Sequence, residues 1–266
     1  MRSLLSRMGR SWSAILTVVG LIVLWEAWVQ LFDIPGFLVP PPSRVFALII
    51  ERPGFLWEHM LFTAAETGLG FLLAVAIGFP LGVLVVESKL FVRTIYPVIV
   101  ASQAVPKLAI APMFLVWFGL GLWSKVLIAA LIAFFPILIG VAVGLQSVDR
   151  GSLLLGRSIG LGRLGIFAKI RMPFALPSAF GGLKVGMTLA VVGAVVGEFL
   201  GSTKGLGSVL VIAAGTINTP LVFATLIVLS VLGIVAYWLI EVIERLVMPW
   251  HEEKPVEGIK PLEVAA

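Results

Sequence analysis

The sequence has no cysteine among its 266 residues, which excludes a disulfide framework and any thiolate metal site. Its two histidines, His59 and His251, lie far apart in the chain, so no histidine cluster is available and no metal site is expected. Charge is also scarce: 12% of residues are charged and 60% are hydrophobic, whereas a soluble domain runs at about a quarter charged and half apolar. A water-soluble fold of this length has no way to cover so much apolar surface. The few ionisable residues are scattered, with no nucleophile–base pair, so no catalytic residue and no enzyme activity are expected. A G-x-x-x-x-G-K-[ST] run is missing as well. "GEFLGSTK" from Gly197 resembles one only loosely, which leaves the chain without a nucleotide site or cofactor of its own.

Long apolar runs are what the sequence has in abundance. A bilayer core of about 30 Å needs roughly 20 apolar residues per helix, and six stretches meet that length: 14–32, 60–86, 91–118, 123–145, 174–199 and 221–247. An all-α integral membrane protein with six transmembrane helices is expected. The first run follows Arg2, Arg7 and Arg10 in the manner of a signal peptide. It is too long for such an apolar region and no small-residue cleavage site follows it, so it reads as a span. The third run carries Pro97, Pro106 and Pro112, which predicts a bent or broken helix. Short helices are expected over Ser43–Ile50 and within Gly201–Thr219.

With the amino terminus placed in the cytoplasm, thirteen Lys and Arg fall on the inner side and four on the outer side, with Lys107 and Lys184 inside spans. That asymmetry puts both termini in the cytoplasm. Basic side chains gathered on one side of a membrane face anionic lipid, so nucleic acid is not an expected partner.

The most basic inner loop is "GRSIGLGRLGIFAKIRMPFALP", Gly156–Pro177, with four glycines, three arginines and a lysine. Read as one helix it has no single amphipathic face, and each interior glycine would cost about 1 kcal/mol relative to Ala. Two short helical pieces with a corner at Gly160 fit better. Gly160, nine residues, then Ile170-Arg171-Met172-Pro173 resembles the "EAA…G…I-x-L-P" signature of ABC importer permeases. Met172 stands in the leucine place, and Leu154-Leu155-Gly156 replaces the EAA triplet. "LVPPPSRV" (38–45), "GFLLAVAIGFPLGVLV" (70–85), "PKLAIAPMFLVWFGLG" (106–121), "FFPILIGVAVGLQSVD" (134–149) and "GEFLGSTKGLG" (197–207) extend the likeness to the nitrate/sulfonate/taurine branch of that superfamily.

The resemblance implies a type I importer permease fold working as a homodimer in the bacterial inner membrane. It divides the chain into residues 1–32 with the first span, an outer loop at 33–59, a permease core at 60–247 with a coupling loop at 146–173, and a cytoplasmic tail at 248–266. It implies that Arg157, Ser158, Ile159, Gly160, Leu161 and Arg163 dock on a cytoplasmic ABC ATPase dimer, which binds ATP and Mg. It also implies a periplasmic solute-binding protein at the outer loops. The solute implied is nitrate, a sulfonate, taurine or similar; the alternative is a heterocycle such as a thiamine-precursor pyrimidine or riboflavin.

Ionisable residues inside a membrane cost about 2.5–3.5 kcal/mol to insert, so each asks for a reason. Gln103 and Lys107 flank Pro106, Lys184 and Thr188 lie one turn apart in the fifth run, and Glu198 is at its outer mouth. These five are the candidates for the translocation pathway, with intramembrane pairing as the competing role. Glu66, near the outer end of the second run, is expected to reach water. The pairs Gly78/Gly82, Gly140/Gly144, Gly182/Gly186 and Gly193/Gly197 predict close helix packing, and the fifth run, holding two of them, is the candidate moving helix. A secondary transporter remains the rival reading, but it requires a coupling-ion site or an inverted repeat, and neither is visible.

Overall fold

The computed structural model describes residues 2–250, with side chains from Leu16 onward; the expected tail beyond Trp250 lies outside the described residues. Among these residues all regular structure is helical. In chain order the helices are α1 (Arg2–Leu31), α2 (Pro42–Glu51), α3 (Pro53–Glu87), α4 (Lys89–Ser102), α5 (Lys107–Phe118), α6 (Leu122–Gln146), α7 (Arg150–Ser158), α8 (Arg163–Ile166), α9 (Met172–Phe199), α10 (Leu206–Gly215) and α11 (Thr219–Val247). Proline opens α2, α3, α9 and α11 within their first turn, where its missing N–H has no helical partner to lose.

Four helical stretches are individually long and apolar enough to cross a membrane: 53–87, 122–146, 163–199 and 219–247. The pair α4–α5 passes the same test together but is bent by 94° at the break over 103–106, the geometry of a broken span or a re-entrant loop. The break falls at Pro106, while Pro97 and Pro112 stay inside their helices. The remaining expected span, 14–32, falls in α1, whose described apolar part is Leu16–Leu31. α1 is joined to α2 where Glu26 accepts the Ser43 amide (2.9 Å) and hydroxyl (2.8 Å).

The centre of the molecule is α6, held between α3 and α9. Phe71 and Ala74 of α3, Ala133 and Ile137 of α6, and Phe180, Met187 and Ala190 of α9 form the largest buried cluster. Glycine makes this spacing possible. A Cβ built on Gly140 would lie 2.8 Å from the Gly182 Cα, and one on Gly144 would lie 2.5 Å from the Ala175 carbonyl oxygen. On the other face of α6, a Cβ at Gly82 would meet the Leu138 carbonyl at 2.9 Å. Gly186 closes against Ile137 and Gly193 against Ala129. All four small-residue pairs thus serve contacts with one helix. The pairs on α9 hold it against α6 along most of its length and do not leave it a free sliding surface.

Replacing Gly182 with Leu is expected to lower the thermal midpoint in detergent by the equivalent of about 1–3 kcal/mol, the usual cost of overpacking. Gly233, with nothing within 4 Å of a built Cβ, is the control. Gly233→Leu should leave the midpoint in place.

Candidate functional site

The loop between α6 and α9 is an elbow made of two helical arms. Asp149 starts the first arm by accepting the Ser152 amide (2.8 Å) and hydroxyl (2.6 Å), which satisfies an orphan donor of α7. Those two bonds, the hydroxyl first, hold the Asp149 carboxyl below the usual carboxylate range. The arm stops at Gly160, where φ is +81°. There the Gly160 amide donates to the Arg157 carbonyl (3.0 Å) and the Leu161 amide to the Gly156 carbonyl (3.0 Å), the paired bonds of a Schellman C-cap. Open space surrounds Gly160, so glycine is required there by backbone conformation and not by crowding.

The second arm is α8 followed by one π-helical turn, Phe167–Arg171, running straight into α9. Gly156 is buried, and a Cβ there would strike the Ile170 Cδ1 at 2.5 Å. The two halves of the sequence signature, the triplet ending in Gly156 and the segment from Ile170, therefore touch. Arg171 pairs with Glu87 at the end of α3, which ties the exit of the elbow to the core.

What the elbow presents outward is mixed. Leu154, Leu155, Ile159 and Leu164 are all more than 60% exposed, Leu164 at 84%. Arg157 and Arg163 are exposed beside them and line a cleft of about 700 Å³ with Lys89, Arg171 and Glu87. The six sequence-predicted coupling residues are brought together here, around the corner. Leu164 and the Glu87–Arg171 pair were missed. The exposed leucine had no periodic pattern to mark it, and the ion pair joins residues far apart in sequence.

The five pathway candidates do not converge. Gln103 is exposed in the α4–α5 break, and Lys107 is half-buried with its ammonium 4.4 Å from the centre of the Phe135 ring. Lys184 is buried in an ion pair with Glu244 of α11, 5.7 Å from the Tyr237 ring centre. Thr188 is exposed and its hydroxyl donates back to the Lys184 carbonyl (3.1 Å). Glu198 is 1% exposed at the opposite end of the molecule. Its carboxylate accepts the Thr63 hydroxyl (2.7 Å) and the Gly207 amide at the start of α10.

Around Glu198 is a clasp that joins α3, α6, α9 and α10. Glu66 is 2% exposed and pairs with Lys125 of α6 at 2.8 Å, correcting the expectation that it reaches water. Lys125 also donates to the Ser202 hydroxyl (2.6 Å). Gly205, at φ +102°, leaves room for the Glu198 carboxylate, which a Cβ there would strike at 2.1 Å. The "GEFLGSTK" stretch, loosely like a phosphate loop in sequence, is spent on this clasp. Its Lys204 sits 4.5 Å from the Phe62 ring centre.

Lys125→Ala is expected to cost about 3–5 kcal/mol by leaving the Glu66 carboxylate buried and unpaired, read as a lower thermal midpoint. Restoring much of it by Lys125→Met with Glu66→Met would confirm the cause. Asp149→Ala should loosen the first arm only where Asp149 is ionised in the folded protein. Because its folded pKa is lowered, the stability it supplies is full above the unfolded carboxylate pKa and fades as pH falls through the folded one. The midpoint gap between wild type and Asp149→Ala should therefore shrink on acidification.

Comparison with known proteins agrees with this geometry. Residues 60–249 match the family model described as binding-protein-dependent transport system inner membrane component. The riboflavin transport system permease protein RibX of Chloroflexus aurantiacus is 39% identical over 88% of both chains. The formylaminopyrimidine transport permease protein ThiX of Halalkalibacterium halodurans is 34% identical over 93% of this chain and 100% of its own. The taurine transport system permease protein TauC of Escherichia coli is 29% identical over 89% of each. An inward-facing structure of the MetNI methionine ABC transporter shares the fold, with a TM-score of 0.63 at 21% identity, covering 73% of this chain and 96% of that one. A family match over most of the helical core, with relatives similar along nearly the whole length, makes this chain a multi-pass membrane protein that belongs to the binding-protein-dependent ABC importer permeases.

Proposed function

We propose that this chain is the translocation subunit of an ATP-driven importer, working as a homodimer of six-span subunits in the bacterial inner membrane with both termini in the cytoplasm. The observation that carries the reading is the elbow: a capped, two-armed element whose leucines face outward and whose second arm continues into α9. An exposed apolar patch of this kind, rimmed by Arg157 and Arg163, suits burial in a protein groove with acidic partners for the guanidinium groups. The groove belongs to a separate ATPase that binds ATP and Mg, and closure of two such subunits on ATP pulls the elbow and the helix behind it. A solute-binding protein delivers the cargo at the clasp end.

A heterocyclic cargo is the favoured class. The relatives named for riboflavin and formylaminopyrimidine are 39% and 34% identical, against 29% for the one named for taurine. Selection of the solute rests largely with the binding protein. Calorimetry on that partner should give binding of riboflavin or a formylaminopyrimidine and none of taurine; the reverse result returns the sulfonate reading.

Coupling is tested in liposomes holding the permease with its ATPase and binding protein. Leu164→Asp, at a side chain that packs on nothing within the subunit, should reduce ATP-driven uptake and stimulated ATP hydrolysis by about tenfold or more, the scale of a lost interface hot spot, with an unchanged thermal midpoint. Wild-type uptake in Leu164→Asp, or uphill uptake by this chain without the ATPase, refutes the assignment.

A further inference from the structure

We propose that the clasp is a proton-binding site, with one proton shared between the carboxyl groups of Glu66 and Glu198. Both side chains are enclosed, at 2% and 1% exposure, and they lie within hydrogen-bond reach of each other. Thr63, one turn before Glu66 on α3, holds them there: its hydroxyl donates to the Glu198 Oε1 at 2.7 Å.

The charges do not balance without that proton. Two buried carboxyls face one ammonium, that of Lys125, which is 2.8 Å from the Glu66 Oε1. Two carboxylates in one enclosed site repel each other and hold a proton between them, and a single ammonium offsets only one of them. The other titratable groups around the pair leave the count as it is. On α3, His59 meets the Gly205 backbone through Nδ1, 3.0 Å from the amide. In the turn after α9, Lys204 lies over the Phe62 ring. Neither is paired with a carboxyl among the described residues, and α10 carries no ionisable residue.

The hydrogen bonds say where the proton goes. Glu198 already has two donors, the Thr63 hydroxyl and the Gly207 amide. Glu66 has Lys125 at Oε1, whereas its Oε2 is buried and has no donor. The neighbouring Thr67 hydroxyl is buried as well and does not reach it. An enclosed carboxylate oxygen without a donor is costly. A proton on Glu198 turns that carboxyl into the missing donor. Its O–H donates to the Glu66 Oε2, Glu66 keeps its charge for Lys125, and the site as a whole is neutral. Loss of the proton sets a second negative charge against Glu66 where α3, α9 and α10 meet. The clasp end is therefore tied by a bond that a change of pH removes.

The test uses the purified full chain in detergent, read by infrared spectroscopy and by thermal midpoint. A C=O band of a protonated carboxyl is expected at neutral pH, lost in Glu198→Gln and kept in Glu244→Gln, a buried carboxyl paired elsewhere with Lys184. Stability gives the sign. The folded site keeps a proton that an unfolded carboxyl releases, so wild type loses stability as pH rises, until the folded site itself lets go. Glu198→Gln offers an N–H in place of the O–H and has no such proton to bind. The midpoint of Glu198→Gln relative to wild type should therefore climb between about pH 5 and about pH 8, by the linkage of about one proton. His59 titrates in both proteins and cancels in that difference. A wild type without the band, or a difference that stays flat or falls over this range, overturns the site. If Glu198→Gln does not fold, Glu66→Gln decides: Lys125 is left facing Glu198 alone, which ionises, and the band should again be lost, whereas a band that survives refutes the sharing. No ATPase, cargo or uptake enters these measurements, so failure here leaves the importer reading in place, and failure of that reading leaves this one.

Discussion

Everything in this molecule depends on how closely backbones approach α6. In lipid, apolar side chains gain little by leaving the hydrocarbon, so helices associate through van der Waals contact at short range and weak polar contacts between backbones. Gly82, Gly140, Gly144, Gly182, Gly186 and Gly193 strip the side chain from the places where α3, α6 and α9 cross. The result is a three-helix slab that needs few polar bonds in its middle. Its ionic contacts are at the ends, Glu66–Lys125 at one and Glu87–Arg171 at the other, with Lys184–Glu244 fastening α11 to the slab.

That arrangement accounts for the uneven exposure. α6 is mostly buried, while almost none of the most apolar stretch of α11 is, and α4 contributes no buried residue at all. Valine, leucine and tryptophan crowd the outside of α5 and α11. Such surfaces are stable against lipid or against a second copy, and incompatible with water. Two lysines taken out of the lipid find partners within the chain: Lys107 has the face of Phe135, and Lys184 has a carboxylate and a tyrosine ring. Lys184 and Glu198 both have partners within the chain.

Much of this could be read from the chain before its shape was known. Apolar length gave the spans from α3 onward to within a few residues, apart from the early start of α3, because 20-residue hydrocarbon runs have no alternative meaning. Proline placed the α4–α5 break, though only Pro106 of the three makes it, since helices in lipid tolerate proline where neighbouring groups donate to the freed carbonyl. The corner at Gly160 was visible because a positive φ so often selects glycine. Glu66 was misjudged: its partner Lys125 is 59 residues away, and nothing local to either announces a buried pair. The clasp was hidden for the same reason, since Thr63, Glu198 and Gly207 come from three helices.

The π turn at Phe167–Arg171 has a mechanical consequence. It adds a wide turn without interrupting the rod, so residues 163–199 form one unbroken beam of 37 residues, about 55 Å from tip to tip. A displacement of the α8 tip would be carried along this beam towards Glu198, past the glycine seam that packs it on α6. Stiffness in this protein is longitudinal, and the clasp, sitting at the far tip of that beam, is where a small angular displacement produces its largest travel.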